Sequence, residues 1–206
     1  MNTPPKYVLV CDGIQGGLRE GRFLPGEHLK MLALARAFQT STMPVQYALH
    51  GLSGAGLVDW TPGRGFYVPM LDQFHLGARY RWLGSLLRDV IDRGNAAHTF
   101  TALPAVPDPQ DTPNATWRLF DAIADLTDND ERRAPLKQAN DQLAPVRHAK
   151  QALLNDAHDE LAALYACWAA RDLTSLKAGL RDYHRRRVVM APKIVSHLRQ
   201  KLAALH

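Results

Sequence analysis

Residues 41–52, Ser41-Thr42-Met43-Pro44-Val45-Gln46-Tyr47-Ala48-Leu49-His50-Gly51-Leu52, decide the fold of the first third of the chain. Val45, Ala48, Leu49 and Leu52 recur at the spacing of one helical face. Ser41 or Thr42 can cap the N–H groups that open this helix. Pro44 sits in its first turn, where a missing N–H leaves no hydrogen bond unmade. The opposite face presents Met43, Gln46, Tyr47 and His50. A shorter helix is expected just before it, over residues 32–38, with Leu34, Ala35 and Phe38 on its apolar side. The connection Gln39-Thr40-Ser41 is tight. Two short helices joined in this way form a helix-turn-helix, whose second helix enters the major groove of DNA.

Working outward, the periodicity changes after residue 55. Gly56-Leu57-Val58-Asp59-Trp60 and Phe66-Tyr67-Val68 flank the turn Thr61-Pro62-Gly63-Arg64-Gly65. Two β-rich runs around such a turn predict a hairpin, which would form a wing with Arg64 at its tip. Glycines on both sides of Arg64 allow close approach of the backbone to phosphate. Upstream, Tyr7, Val10, Ile14 and Leu18 predict a helix over residues 4–20, weakened in the middle by Gly16-Gly17. Pro25-Gly26 marks a turn. These elements make residues 1–69 a winged helix-turn-helix domain. Its expected DNA-contacting residues are Arg36, Thr40, Ser41, Thr42, Met43, Gln46, Tyr47, Arg64 and Gly65.

Beyond Val68-Pro69-Met70 the texture becomes helical, and residues 73–206 read as an all-α bundle. Helices are expected over 74–93, 114–127, 174–187 and 193–205. A long span over 130–171 must be broken at least once. Residues 94–113 hold Pro104, Pro107, Pro109 and Pro113 and read as a loop. The fold class is therefore mainly α. Arg185-Arg186-Arg187 reads as a solvated helix end.

A net charge of +5 tilts the chain only slightly toward a polyanionic partner. Cys11 and Cys167 stand apart with no CxxC or Cys/His spacing, which excludes a zinc finger or ribbon. They read as free thiols of a reducing compartment. No signal peptide or apolar run of membrane-spanning length is present, so the expectation is a soluble, cytoplasmic protein. G-x-S-x-G, P-loop, dinucleotide and HExxH patterns are all missing. No catalytic residue and no cofactor is expected, and the chain does not read as an enzyme.

The N-terminal third resembles the GntR family of bacterial regulators. The matching residues are Gly21, Pro25-Gly26, Leu29, Leu34-Ala35, Phe38, Ser41, Pro44-Val45, Ala48-Leu49, Leu52, Gly56-Leu57, Gly63-Arg64-Gly65-Phe66 and Val68. The resemblance implies a homodimer whose two winged domains read a short palindrome in double-stranded DNA. Family members usually carry arginine after the serine and again after the Pro-Val pair. Thr42 and Gln46 stand there instead. Glutamine prefers adenine where arginine prefers guanine, which implies an unusual operator or weaker binding. The turn glycine of the family is replaced by Gln39, at a small backbone penalty.

The helical region resembles the FadR branch and its FCD effector domain, at Ala169-Ala170-Arg171-Asp172 with Leu176 and Leu180-Arg181, and at Leu119-Phe120-Asp121-Ala122-Ile123 with Asn129. That resemblance implies a pocket for a small metabolite, typically an organic acid. Arg79, Arg81, Asp121, His158, Tyr183 and His184 are the expected effector-binding residues, with Arg118 and Tyr165 as further donors. Many FCD domains hold a metal with one Asp and three His. Here those positions fall on Trp117, Asp121, Leu161 and Tyr183. No metal is expected, and a divergent site would have to be built from Asp121, His158 and His184. The leading expectation is a ligand-responsive transcription regulator, a repressor. The competing one is a dimeric metabolite-binding or interaction protein with a degenerate winged domain.

Overall fold

The computed structural model describes residues 4–93, 101–103 and 108–205. Helix α1 (Lys6–Arg19) leads through a turn to α2 (Met31–Ala37) and α3 (Thr42–Gly54). Strands β1 (Asp59–Thr61) and β2 (Gly65–Tyr67) follow. They pair antiparallel with Trp60 opposite Phe66. His28 bridges Tyr67 on the outer side of β2, so the wing is bound to the segment before α2. Val10, Ile14, Leu34, Val45, Leu49, Leu52, Phe66 and Val68 close around one apolar core. The stripe expected on residues 45–52 is buried in full: Val45 and Leu49 expose nothing, Ala48 1% and Leu52 3%.

The second region comprises α4 (Gln73–Arg93), α5 (Thr112–Ala124), α6 (Asp130–Ala149), α7 (Ala157–Ala169) and α8 (Leu173–Ala203), with 3₁₀ turns at Pro109–Asp111 and Gln151–Leu153. The long span over 130–171 breaks between Ala149 and Ala157. Two expectations are corrected. The helices over 174–187 and 193–205 are one, running straight through Pro192. Pro192 is exposed, while Leu176, Leu180, Tyr183, Ala191, Ile194, Val195 and Leu198 are all buried. Packing of that stripe outweighs the roughly 3 kcal/mol that an internal proline costs a helix. The loop over 94–113 is also shorter at its end. Pro113 lies in the first turn of α5 and Pro109 opens a 3₁₀ turn, whereas Pro104 and Pro107 lie outside the described residues.

The two regions are joined through polar side chains. Asp141 on α6, 7% exposed, accepts from Arg19 Nε at 2.8 Å, Gln15 Nε2 at 2.8 Å and Trp117 Nε1 at 2.7 Å. Gln138 donates to the Ala55 carbonyl at the end of α3. Gly21 adopts φ +73°, and a Cβ there would meet the His148 ring at 2.4 Å. That position requires glycine for both reasons.

Candidate nucleic-acid interface and interior polar cluster

Gln39 turns the chain between α2 and α3 with φ +50°. The Thr40 N–H reaches back to the Ala35 carbonyl at 3.0 Å and closes α2. A left-handed conformation costs a non-glycine residue about 1 kcal/mol, and here it sets the entry angle of α3. Ser41 occupies the N-cap position with extended backbone but makes no side-chain cap, so the expected serine cap is not formed. The first N–H groups of this 13-residue helix therefore face outward unshielded by a hydroxyl. Such an end suits a phosphate.

Ser41, Thr42, Met43, Gln46 and Tyr47 are all exposed on the outer face of α3, Met43 at 58% and Tyr47 at 63%. Large apolar groups are held in water along one helical face, beside a glutamine amide. Arg36 is exposed at the end of α2, and Thr40 is half-buried in the turn. Lys6, Arg36, Gln39 and Thr42 share a shallow depression there. A second concavity between α2 and the wing is lined by Lys30, Arg36, Gly65 and Phe66. Lys6 and Lys30 carry no signal in the sequence, because only the fold brings α1 and the bridge segment beside α2.

Arg64 is exposed at the wing tip, and its N–H donates to the Thr61 carbonyl at 3.0 Å. The Tyr67 hydroxyl donates to the Arg64 carbonyl at 3.1 Å, and His28 stacks on Tyr67 at 4.8 Å. His50 is exposed on α3 beside the wing. Its ring packs edge-on to Phe66 at 4.9 Å and braces the wing.

The bundle interior holds an unusual set of buried groups. Arg147, Lys150, His184 and Arg187 are 2%, 4%, 5% and 1% exposed. Arg147 donates to the backbone carbonyl and side-chain oxygen of Asn140, at 3.0 and 2.7 Å, and lies 5.3 Å over the Phe120 ring. Phe120 meets Tyr183 edge-on at 5.4 Å, and the Arg187 guanidinium sits 3.5 Å over Tyr183. Arg187 donates to Glu160 at 2.6 Å. Burial, with Arg187 and Arg147 nearby, pushes the Lys150 ammonium well below the ordinary lysine range. His184 Nδ1 donates to the Leu180 carbonyl at 2.7 Å, and burial brings the ring down to about 3. The Tyr80 hydroxyl, Arg147 Nε, His184 Nε2 and Arg187 Nε are buried without a hydrogen-bond partner.

Of the expected effector residues, Tyr183 and His184 fall in this cluster, Arg81 meets His184 at a groove on its outer side, and Arg79, Asp121 and His158 pair or lie elsewhere. Arg79 donates to Gln142 at the boundary with the winged domain. Arg81 is exposed and lines an outer groove with His184, Trp82, Arg88 and Arg185. Asp121 pairs with Lys137, and burial raises its carboxyl against that pairing. His158 is half-buried near the start of α7 with an unpartnered Nδ1. Arg118 pairs with Asp111, and Tyr165 donates to the Ala115 carbonyl. Among the described residues no three His, Cys, Asp or Glu side chains converge as a metal site would require.

Arg147, Lys150 and Arg187 were not picked out by residue type. They lie on buried helical stripes, with Leu136, Asn140, Leu143 and Arg147 on α6, Lys150 at its C-terminal cap, and Leu180, Tyr183, Arg187 and Ala191 on α8. Arg187 is thus part of the core, and the expected solvated helix end at Arg185-Arg186-Arg187 is in the middle of α8.

Residues 6–68 match the family model described as bacterial regulatory proteins, gntR family. The whole chain is similar in fold to E. coli McbR/YncC, with a TM-score of 0.63 at 16% identity over 93% of this chain and 99% of that one. It is likewise similar to a GntR transcriptional regulator from Rhodococcus sp. RHA1, with a TM-score of 0.66 at 16% identity over 90% and 96% of the two chains. No curated protein matches by sequence. Among the described residues no helix is long and apolar enough to cross a membrane.

Proposed function

We propose, from the premise that residues 6–68 are a GntR-family DNA-binding domain, that this protein is a transcription repressor released by a small anionic metabolite. It binds a palindromic operator as a homodimer, the arrangement that lets two recognition helices meet successive major grooves. The observation that carries this reading is the outer face of α3, where Met43, Gln46 and Tyr47 stand exposed on a helix whose apolar side is fully buried. Gln46 suits the adenine edge, and Met43 suits the methyl group of thymine. Arg36, Thr40, Ser41, Thr42, Arg64 and Gly65 hold phosphates on either side, helped by the unshielded start of α3. The bundle supplies the effector site, with Tyr183 and His184 in its interior.

A mobility-shift titration with the DNA upstream of its own gene, at two salt concentrations, tests this reading. Sequence-selective binding at low salt is expected. Arg64→Ala should weaken binding to all sequences and lower the salt slope by about 1 per protomer. Gln46→Ala should relax base preference. If no sequence-selective complex forms at low salt, the winged domain is degenerate and the chain is a metabolite-binding or interaction protein.

A further inference from the structure

We propose that the groove between the outer faces of α4 and α8 binds a nucleoside polyphosphate. Its base lies on the Trp82 indole, its phosphates are held by Arg81, Arg88, Arg181 and Arg185, and a hydroxyl or N–H of the nucleoside donates to His184 Nε2. This site goes beyond the reading of the chain as a regulator. It opens outward, and it shares only His184 with the interior cluster.

The groove holds about 670 Å³, within the roughly 300–1,000 Å³ usual for small-molecule sites. Four of its lining side chains are arginines, two from each helix. Among the described residues their only carboxylate partner is Asp182, 3.2 Å from Arg185 and 3.9 Å from Arg181. Four guanidiniums against one carboxylate leave three positive charges unmatched. Like charges gathered on a concave face focus their field there and favour a polyanion. Guanidinium forks match phosphate oxygens in geometry as well as in charge. Arg88 is held at the groove by donation from its Nε to the Gly84 carbonyl at 3.1 Å.

Inorganic phosphate would satisfy the charge alone, but two further features ask for more. Trp82 is 53% exposed and lines the same groove as the arginines. An indole held in water offers a stacking surface to a flat heteroaromatic base. His184 lies in the floor of the groove and is 5% exposed. Its Nδ1 donates to the Leu180 carbonyl, so Nε2 of the neutral ring is an acceptor, and it has no partner. A buried acceptor left unpaired is costly, and a ligand O–H or N–H relieves it. Gly84 is what lets His184 lie against α4, since a Cβ there would stand 2.9 Å from the ring. A simple carboxylate brings one charge, no ring and no donor. A nucleoside polyphosphate brings phosphates, ring and donors together.

Calorimetric titration of the full chain, without DNA or divalent metal, tests the proposal. The probes are ADP, adenosine as the uncharged analogue, and pyrophosphate as the phosphates without a base. One saturable site for ADP is expected, with adenosine and pyrophosphate each bound at least about tenfold more weakly. Trp82→Ala should weaken ADP by about tenfold and leave pyrophosphate unchanged. Arg81→Ala should weaken both by about tenfold. His184→Phe keeps an aromatic ring in the floor and should weaken ADP severalfold with pyrophosphate unchanged. The proposal is overturned if ADP does not saturate at millimolar concentration, if adenosine or pyrophosphate matches it, or if Trp82→Ala binds ADP as the native chain does. If the native chain ignores ADP and Arg81→Glu turns a sedimenting dimer into monomers, the groove is covered by a second copy and the proposal falls. Because the titration contains no DNA, its failure leaves operator binding standing.

Discussion

The two cores of this molecule are built on different rules. In the winged domain the buried side chains are apolar throughout, from Val10 and Ile14 on α1 to Phe66 and Val68 at the wing. The buried polar and charged side chains of the described residues all lie beyond residue 111. An apolar core specifies one shape and holds it rigidly, which suits a domain proposed to present Met43, Gln46, Tyr47 and Arg64 in fixed register. A core with Arg147, Lys150 and Arg187 inside it carries a desolvation cost that an apolar core does not. Helix α6 touches both. It turns Asn140 and Arg147 inward and carries Asp141 and His148 to the side that meets α1.

The contrast is most exposed to test at Glu160. Glu160→Gln leaves Arg187 buried without its counter-charge and should destabilise the fold by about 3 kcal/mol. Urea unfolding measures this, and a loss below half that value would mean that the bundle interior tolerates charge as a surface does. The junction between the cores comes next. Asp141→Asn removes the charged acceptor shared by Arg19, Gln15 and Trp117 and should cost about 2 kcal/mol. The same variant should free the winged domain to unfold separately, visible as a second transition in calorimetry. A single unshifted transition would show that apolar packing alone joins the regions.

Acid distinguishes the cores by their histidines. His184 titrates at about 3 in the folded chain because it is buried, against about 6.5 when unfolded. The unfolded state therefore takes up a proton below about pH 6.5 that the folded state refuses. Stability conferred by the neutral ring is complete above that pH and is lost as pH falls toward 3, by up to about 1.4 kcal/mol per pH unit. Burial also lowers His148, which adds a loss of the same sign. Unfolding free energies measured between pH 7 and 5 should show this slope, and His184→Leu should remove about one proton from it. An unchanged slope would place the acid sensitivity elsewhere. The smallest effect belongs to the winged domain. Gln39→Gly relieves the φ +50° conformation and should stabilise that domain by about 1 kcal/mol with DNA affinity unchanged. A fall in affinity would mean that the glutamine side chain itself takes part in binding.

Much of this was open to reading in one dimension. The helix pair, the wing and the apolar stripe on α3 follow from local spacing and residue type, because each is decided within a few residues, whereas the strained turn at Gln39 was indicated only by the resemblance, where a glycine is usual. The polar side of α3 was equally legible, and only the edge-on contact of its His50 with Phe66 of the wing needed the fold. Short-range rules failed where long-range packing overrode them. Pro192 signalled a helix end, yet the buried stripe of α8 carries the helix through it. Ser41 signalled a cap that does not form. Arg79 and Asp121 drew attention by residue type, but their partners Gln142 and Lys137 lie on α6, distant in the chain.

The sequence by itself determined the winged domain and the helical character of the rest, since periodicity and turn chemistry are local properties. Only the tertiary structure decided which charges are inside. Burial depends on how α4, α5, α6, α7 and α8 close on one another, and a lysine on a stripe reads the same in sequence whether the stripe meets water or a core. Lys150 and Arg187 came to lie inside through that closure alone, and removal from water is what makes a buried charge need a partner, as Arg187 has in Glu160.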